Sequence, residues 1–404
     1  MQAITDPDRL GFDAGRLKNI DSWMQRYVDE GKLAGSSVLV ARHGEITHLA
    51  ACGKRSLATQ LPFEIDTLVR IYSMTKPITS LAVMMLHEQG LFNLDAPIDA
   101  FLPEFSHCHA LVSGATSLEQ CEPSPAPTVH QLLTHTSGLT YSFNPGLLAS
   151  GYLENKIEFY SDAGGHRQMA KKVAKMPLAF QPGTGWEYSV GIDILGVLVE
   201  VISGKTLNEF FLENILGPLR MDDTGFGVPK SKLNRFADCF NYHGETSLEL
   251  RDSAENSIFQ QDRVNTLSGG GGLVSTLADY LKFTELVRQG GAVNGMSLIS
   301  PRTLNFMRQN HLPGDIASMG PKSFAEQPME GMGFGIGGSI VLDPARTRTL
   351  GSVGDYSWGG LASTFFWLDP VEQLSVIFFT QLIPSSSYAC RAELKALVHA
   401  ALTN

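Results

Sequence analysis

Apolar residues return at Leu17, Ile20, Met24, Tyr27 and Val28, one stripe of an amphipathic helix over residues 13–30, with Gly31 placed as its stop. Two β-rich runs follow, 37–42 and 45–51, and the intervening His43-Gly44 predicts a tight hairpin. After a polar, irregular link over 56–69, Ile78, Leu81, Ala82, Met85 and Leu86 fall at i, i+3, i+4, i+7 and i+8. That spacing predicts a helix opening at about Ser73 and ending at Gly90, with Pro77 tolerated because it lies in or near the first turn.

From about Gly90 to about Lys230, helical periodicity alternates with Pro- and Gly-rich connections and convincing strands disappear. Thr128 with Gln131 and Thr206 with Glu209 form capping boxes, the second opening a helix that runs to Leu216. Ile192, Leu195, Gly196 and Val199 mark an apolar helix over 189–202, whereas 113–127, rich in Ser, Pro and Gly, reads as surface loop. Strand-like runs return at 335–342, 362–368 and 374–379, beside helices at 277–288 (Thr276 capping with Asp279) and 389–402. Hairpin-length connections imply an antiparallel sheet. The expected fold is therefore α+β: an antiparallel sheet flanked by helices and built from both termini (1–76 and 231–404), an inserted, mainly helical domain (77–230), and an active site in the cleft between them.

With 404 residues, 43% of them hydrophobic, the chain can bury one large core or two smaller ones. A net charge of −10 without a long basic run argues against nucleic acid and against an anionic membrane surface, and no apolar span is long enough to cross a bilayer. The first ten residues lack a basic segment followed by an apolar one, so the expected location is cytoplasmic. Five scattered cysteines (Cys52, Cys108, Cys121, Cys239, Cys390) fit reduced thiols better than a disulfide framework. His107-Cys108-His109 with Cys121 offers metal-ligand types, but the spacing fits no structural zinc pattern. Glycines 269–272 lack the Lys-Ser/Thr of a phosphate loop, and close backbone packing explains them equally well. The expectation is no metal, no cofactor and a small-molecule partner.

Candidate chemistry begins at Ser73-Met74-Thr75-Lys76. One turn apart at a helix start, the hydroxyl and amine lie on one face, and no other lysine in the chain has a serine three residues before it. A serine attacking a carbonyl must hand over its proton, and lysine accepts one only if burial or nearby cations lower its pKa toward neutrality. Tyr188, just before the helix over 189–202, is a candidate second proton carrier, since a neighbouring lysine ammonium would lower its pKa, whereas an isolated tyrosine there reads as one packed at a helix start. Trp358-Gly359-Gly360-Leu361 places two glycines at the expected start of a strand, where a ligand can approach the backbone and an N–H can serve an oxyanion.

Taken in order, Ser73-x-x-Lys76, the Tyr188 element and the C-terminal glycine triplet resemble the serine β-lactamase and penicillin-recognising superfamily, class C-like, over about residues 13–400. The stretches 132–139 and 271–276 support the resemblance. Two departures refine it: Val190 stands where class C β-lactamases carry the Asn of Tyr-x-Asn, and Trp358-Gly359-Gly360 replaces Lys-Thr-Gly. The replaced Asn and Lys help hold a β-lactam, which Val and Trp cannot do, and Trp-Gly-Gly is similar to the family VIII carboxylesterases and a related acyltransferase.

The resemblance implies Ser73 as nucleophile, Lys76 and Tyr188 as the proton-transfer pair, and the N–H groups of Ser73 and Leu361 as oxyanion hole. Trp358, Gly359 and Gly360 would line the substrate site. No Gly-x-Ser-x-Gly occurs, so Ser73 has no rival nucleophile. The expected activity is hydrolysis of small or short-chain carboxylic esters. Alternatives are acyl transfer to an alcohol or thiol, weak β-lactamase action, and a non-catalytic binding protein. Acyl-chain length is set by loops such as 105–127, 141–165 and 240–265, whose shapes composition does not give.

Overall fold

The computed structural model describes residues 3–160, 162–244, 248–293 and 295–403, with Val293 described by its backbone. Residues 161 and 245–247, inside two of the loops singled out above, lie outside the described residues. The chain folds around a seven-stranded antiparallel sheet with strand order Met332–Phe334, Ser339–Val341, Tyr356–Gly359, Phe365–Asp369, Leu374–Thr380, Gly35–Arg42, Glu45–Gly53. N-terminal and C-terminal strands meet in register at the centre, with Val38 opposite Phe378 and Val40 opposite Val376. The hairpin turn falls at His43 and Gly44, both at positive φ, as a two-residue loop matching strand twist demands.

Both faces of this sheet are covered, which explains why its strands read as apolar runs rather than alternating ones. Val38, Val40, Val376 and Phe378 face one way, onto the helices Ala14–Asp29 and Cys390–Ala401. Leu39, Ala41, Ile377 and Phe379 face the other way, into a core shared with Thr75–Glu88, Gly191–Ser203 and Leu277–Arg288. That second core carries the helical region between the terminal strands. Its central helix, Gly191–Ser203, packs against Thr75–Glu88, so the serine-bearing helix is held from behind. Among the described residues no helix is long and apolar enough to cross a membrane.

Several local expectations change. The run 335–342 divides into a turn and the strand Ser339–Val341, because Gly337 adopts φ +89° and Gly335 N–H bonds back to Gly338 O at 2.8 Å. The run 362–368 becomes Phe365–Asp369, since Ser363 at φ 62° turns the chain and donates its N–H to Gly360 O. Gly359 ends a strand instead of opening one. In the region where strands were not expected, His109–Leu111 pairs with Cys121–Pro123 in a small hairpin that crosses the supposed surface loop. The helix opened by Thr206 runs as α-helix through Leu207–Phe211 and then widens into a π-turn, Leu212–Leu216, with Gly217 N–H bonded to Leu212 O. The expected caps at Thr128, Thr206 and Thr276 form as side-chain bonds to backbone N–H groups, and Asp13 caps the first helix in the same way, by accepting from Arg16 N–H.

Candidate active site

Ser73 sits on a braced turn. The short strand Val69–Arg70 pairs with Leu273–Ser275, and Arg70, fully buried, ties it down through Asp252, Ala237 O and Gln381. Tyr72 is then forced to φ 42°, an unfavourable backbone for a residue with a Cβ, and Tyr72–Met74 forms a single 3-10 turn before the helix Thr75–Glu88. Leu273 N–H bonds Thr75 Oγ1, and Tyr280 O–H bonds Met74 O, so the turn is gripped on both sides.

Lys76 is 1% exposed, with its Nζ 3.2 Å from Ser73 Oγ, 2.8 Å from Tyr141 Oη and 2.7 Å from Gly270 O. Burial pulls the amine down from 10.5 to about 7, partly opposed by the charge of Asp193. It is thus able to lose its proton near neutral pH. Tyr188 donates its phenolic hydrogen to Ser73 Oγ at 2.6 Å. The three groups expected to converge therefore do so. One detail differs: burial raises the Tyr188 pKa, outweighing the hydrogen bond to Ser73. The Lys76 charge the expectation relied on is itself weakened by burial, so the lysine titrates and the phenol stays protonated.

Behind the phenol, the His135 ring meets that of Tyr188 edge-on at 4.9 Å, and Asn144 Nδ2 holds the Tyr188 carbonyl at 2.7 Å. His135, fully buried at φ 59°, is kept neutral by burial and by the nearby Lys76 charge, and its Nδ1 pairs with Ser189 Oγ. Val190 is buried at the start of the next helix and offers the site no polar group.

Trp358 stands beside Tyr188, with ring centroids 5.5 Å apart, and stacks on Phe324. Gly360 lies so close to the serine turn that a Cβ there would sit 2.3 Å from Ile71 O. A Cβ on Gly359 would strike Arg391 Nη2 at 2.1 Å, so this glycine serves a packing contact. Leu361 and Tyr72 pack on the same small cluster of Cys239, Ala362 and Ile383. All of Ser73, Tyr188, Trp358, Gly359, Gly360 and Leu361 line a cavity of about 590 Å³ with an aromatic rim that includes Phe143 and Tyr160.

Sequence reasoning missed Tyr141, Asp193, Gly270 and His135 as members of the site. Asp193 left a trace, as one of only two acids in the otherwise apolar helix Gly191–Ser203. Gly270 lay in the glycine run already noted, and Tyr141 left no trace. The glycine run proves to be a packing device, since a Cβ on Gly269 would sit 2.9 Å from Ile192 O, and Gly270 adds its carbonyl to Lys76. The His107–His109 stretch is occupied locally, with Cys108 S–H donating to Phe105 O and His109 Nδ1 near His107 O.

The beta-lactamase family profile matches residues 20–400. Protein Rv1367c of Mycobacterium tuberculosis is 33% identical over 89% of this chain and 88% of its own length. Esterase EstB of Burkholderia gladioli is 32% identical, with 94% of each chain covered. Among solved structures, EstCE1, a hydrolase with promiscuous acyltransferase activity, superposes with a TM-score of 0.79 at 26% identity, covering 97% of this chain and 98% of its own.

Proposed function

The chain belongs to the beta-lactamase family and is a serine hydrolase, and from that premise we propose that it is a carboxylesterase acting on small or short-chain esters through an acyl-enzyme on Ser73. The observation that carries the reading is the sharing of Ser73 Oγ between Tyr188 Oη at 2.6 Å and the Nζ of a lysine whose pKa is lowered to about 7. Ser73 Oγ attacks the ester carbonyl while its proton passes to neutral Lys76, and the N–H groups of Ser73 and Leu361 receive the oxyanion. Collapse breaks the ester C–O bond, and the Lys76–Tyr188 pair returns the proton to the leaving alkoxide. Water then adds to the acyl carbon with the same pair as base, releasing the acid and restoring Ser73. Trp358, Gly359 and Gly360, which line the same cavity, would contact the substrate.

An alcohol leaves more readily than an amine, so a site with Val190 and Trp358 in place of β-lactam anchors is suited to esters and disfavours β-lactams. Brief exposure to a short-chain p-nitrophenyl ester should add one acyl mass to the intact protein, and Ser73→Ala should lose both the adduct and turnover. Turnover that survives this substitution removes the proposal. A second reading, transfer of the acyl group to an alcohol, is favoured by the room in the cavity and by an aromatic rim at which Phe143 is 57% exposed. Product analysis with added alcohol separates the two.

A further inference from the structure

Around Lys76 the hydrogen bonds form a directed chain whose sense is set at its far end. Gly270 O can only accept, so it takes one amine hydrogen. Tyr141 Oη lies between Lys76 Nζ at 2.8 Å and Asp193 Oδ2 at 3.2 Å, and its single hydrogen goes to one or the other. Asp193 is buried at 1% exposure, and its Oδ1 already accepts from Ser268 O–H at 2.5 Å and Gly270 N–H at 2.9 Å. As a carboxylate it has no hydrogen to give, so Tyr141 must donate to it and present a lone pair to Lys76. Both hydrogens of the neutral amine are then used, on Gly270 O and Tyr141 Oη. The nitrogen lone pair is left facing Ser73, whose hydroxyl already receives the Tyr188 hydrogen and so gives its own to the amine.

We infer that Asp193 is a positioning residue that acts through Tyr141 to turn the Lys76 lone pair onto Ser73, so that acylation depends on a carboxylate whose hydrogen bonds go to Tyr141, Ser268 and Gly270 and not to the nucleophile. This rests on the reading of Ser73 and Lys76 as nucleophile and base. The isosteric change Asp193→Asn reverses the chain. Gly270 N–H pins the amide oxygen at the Oδ1 position, which puts the NH₂ against Tyr141. Tyr141 must then send its hydrogen to Lys76, and the lone pair is consumed away from Ser73.

The test is the pre-steady-state release of p-nitrophenol from a short-chain ester, with intact mass as the record of acylation. D193N should acylate about 100-fold or more slowly than wild type, as when a general base is held in the wrong hydrogen-bonding sense. Tyr141→Phe, which removes the misdirected donor as well as the acceptor, should cost about tenfold. The double variant should acylate faster than D193N, a rescue that a merely structural carboxylate does not allow. Wild-type acylation in D193N, or a double variant no faster than D193N, overturns the inference while leaving Ser73 as nucleophile. Absence of any Ser73 adduct in the wild type removes the underlying reading and this inference together. Should D193N fail to fold, Y141F decides: a loss of about tenfold supports the chain and an unchanged rate refutes it.

Discussion

Acid should switch this protein off through Lys76, and the size of the effect follows from how the amine is buried. Its pKa falls from 10.5 to about 7, so at neutral pH about half of the molecules carry a usable base, against about one in three thousand for an unshifted lysine. With short-chain p-nitrophenyl esters, kcat/KM should be flat above about pH 8 and fall tenfold per unit below about pH 7, reaching about one hundredth of the plateau near pH 5. The same burial costs stability. Between about pH 7 and 10.5 the unfolded chain holds a proton at Lys76 that the folded chain has released, so this group adds stability as pH rises across that window. Below about pH 7 both states are protonated and the folded protein bears the whole penalty, of order 5 kcal/mol. Lys76→Met should therefore be inactive yet more stable than wild type at pH 6, with the gain shrinking by pH 9, as read from urea midpoints. An acid limb that stays flat down to about pH 5, or a Lys76→Met protein less stable than wild type at low pH, would refute the reasoning.

Tyr188→Phe removes only the oxygen bonded to Ser73 Oγ, and kcat should fall about 100-fold or more while KM shifts far less, measured on the same esters. Gly360→Ala drives a Cβ to within 2.3 Å of Ile71 O and Thr364 Oγ1. It should cost about 2 kcal/mol or more in a chemical unfolding curve and depress activity by displacing the serine turn. Asp355→Ala strands Lys395, whose ammonium is buried and paired at 2.6 Å with that carboxylate, and should destabilise the fold by about 3–5 kcal/mol without altering the pH dependence of kcat/KM.

What the sequence determined by itself is the part governed by neighbours along the chain. The stripe from Leu17 to Tyr27, the His43-Gly44 turn and the caps at Thr128, Thr206 and Thr276 are contacts within a few residues, and each forms as its pattern demands. Ser73 and Lys76 share this legibility because one helical turn joins them. Glycine made the later strands hard to read, since Gly337 at positive φ bends a run that composition alone scores as extended. Only the tertiary structure decided the setting of the amine. Lys76 meets Tyr141 across 65 residues and Gly270 across 194, and Asp193 reaches it through a phenol that carries no pattern of its own. Periodicity records which face of an element is dry, not which polar atom of a distant element is buried against it. The proton affinity of the lysine is set by those distant atoms and by the water they exclude.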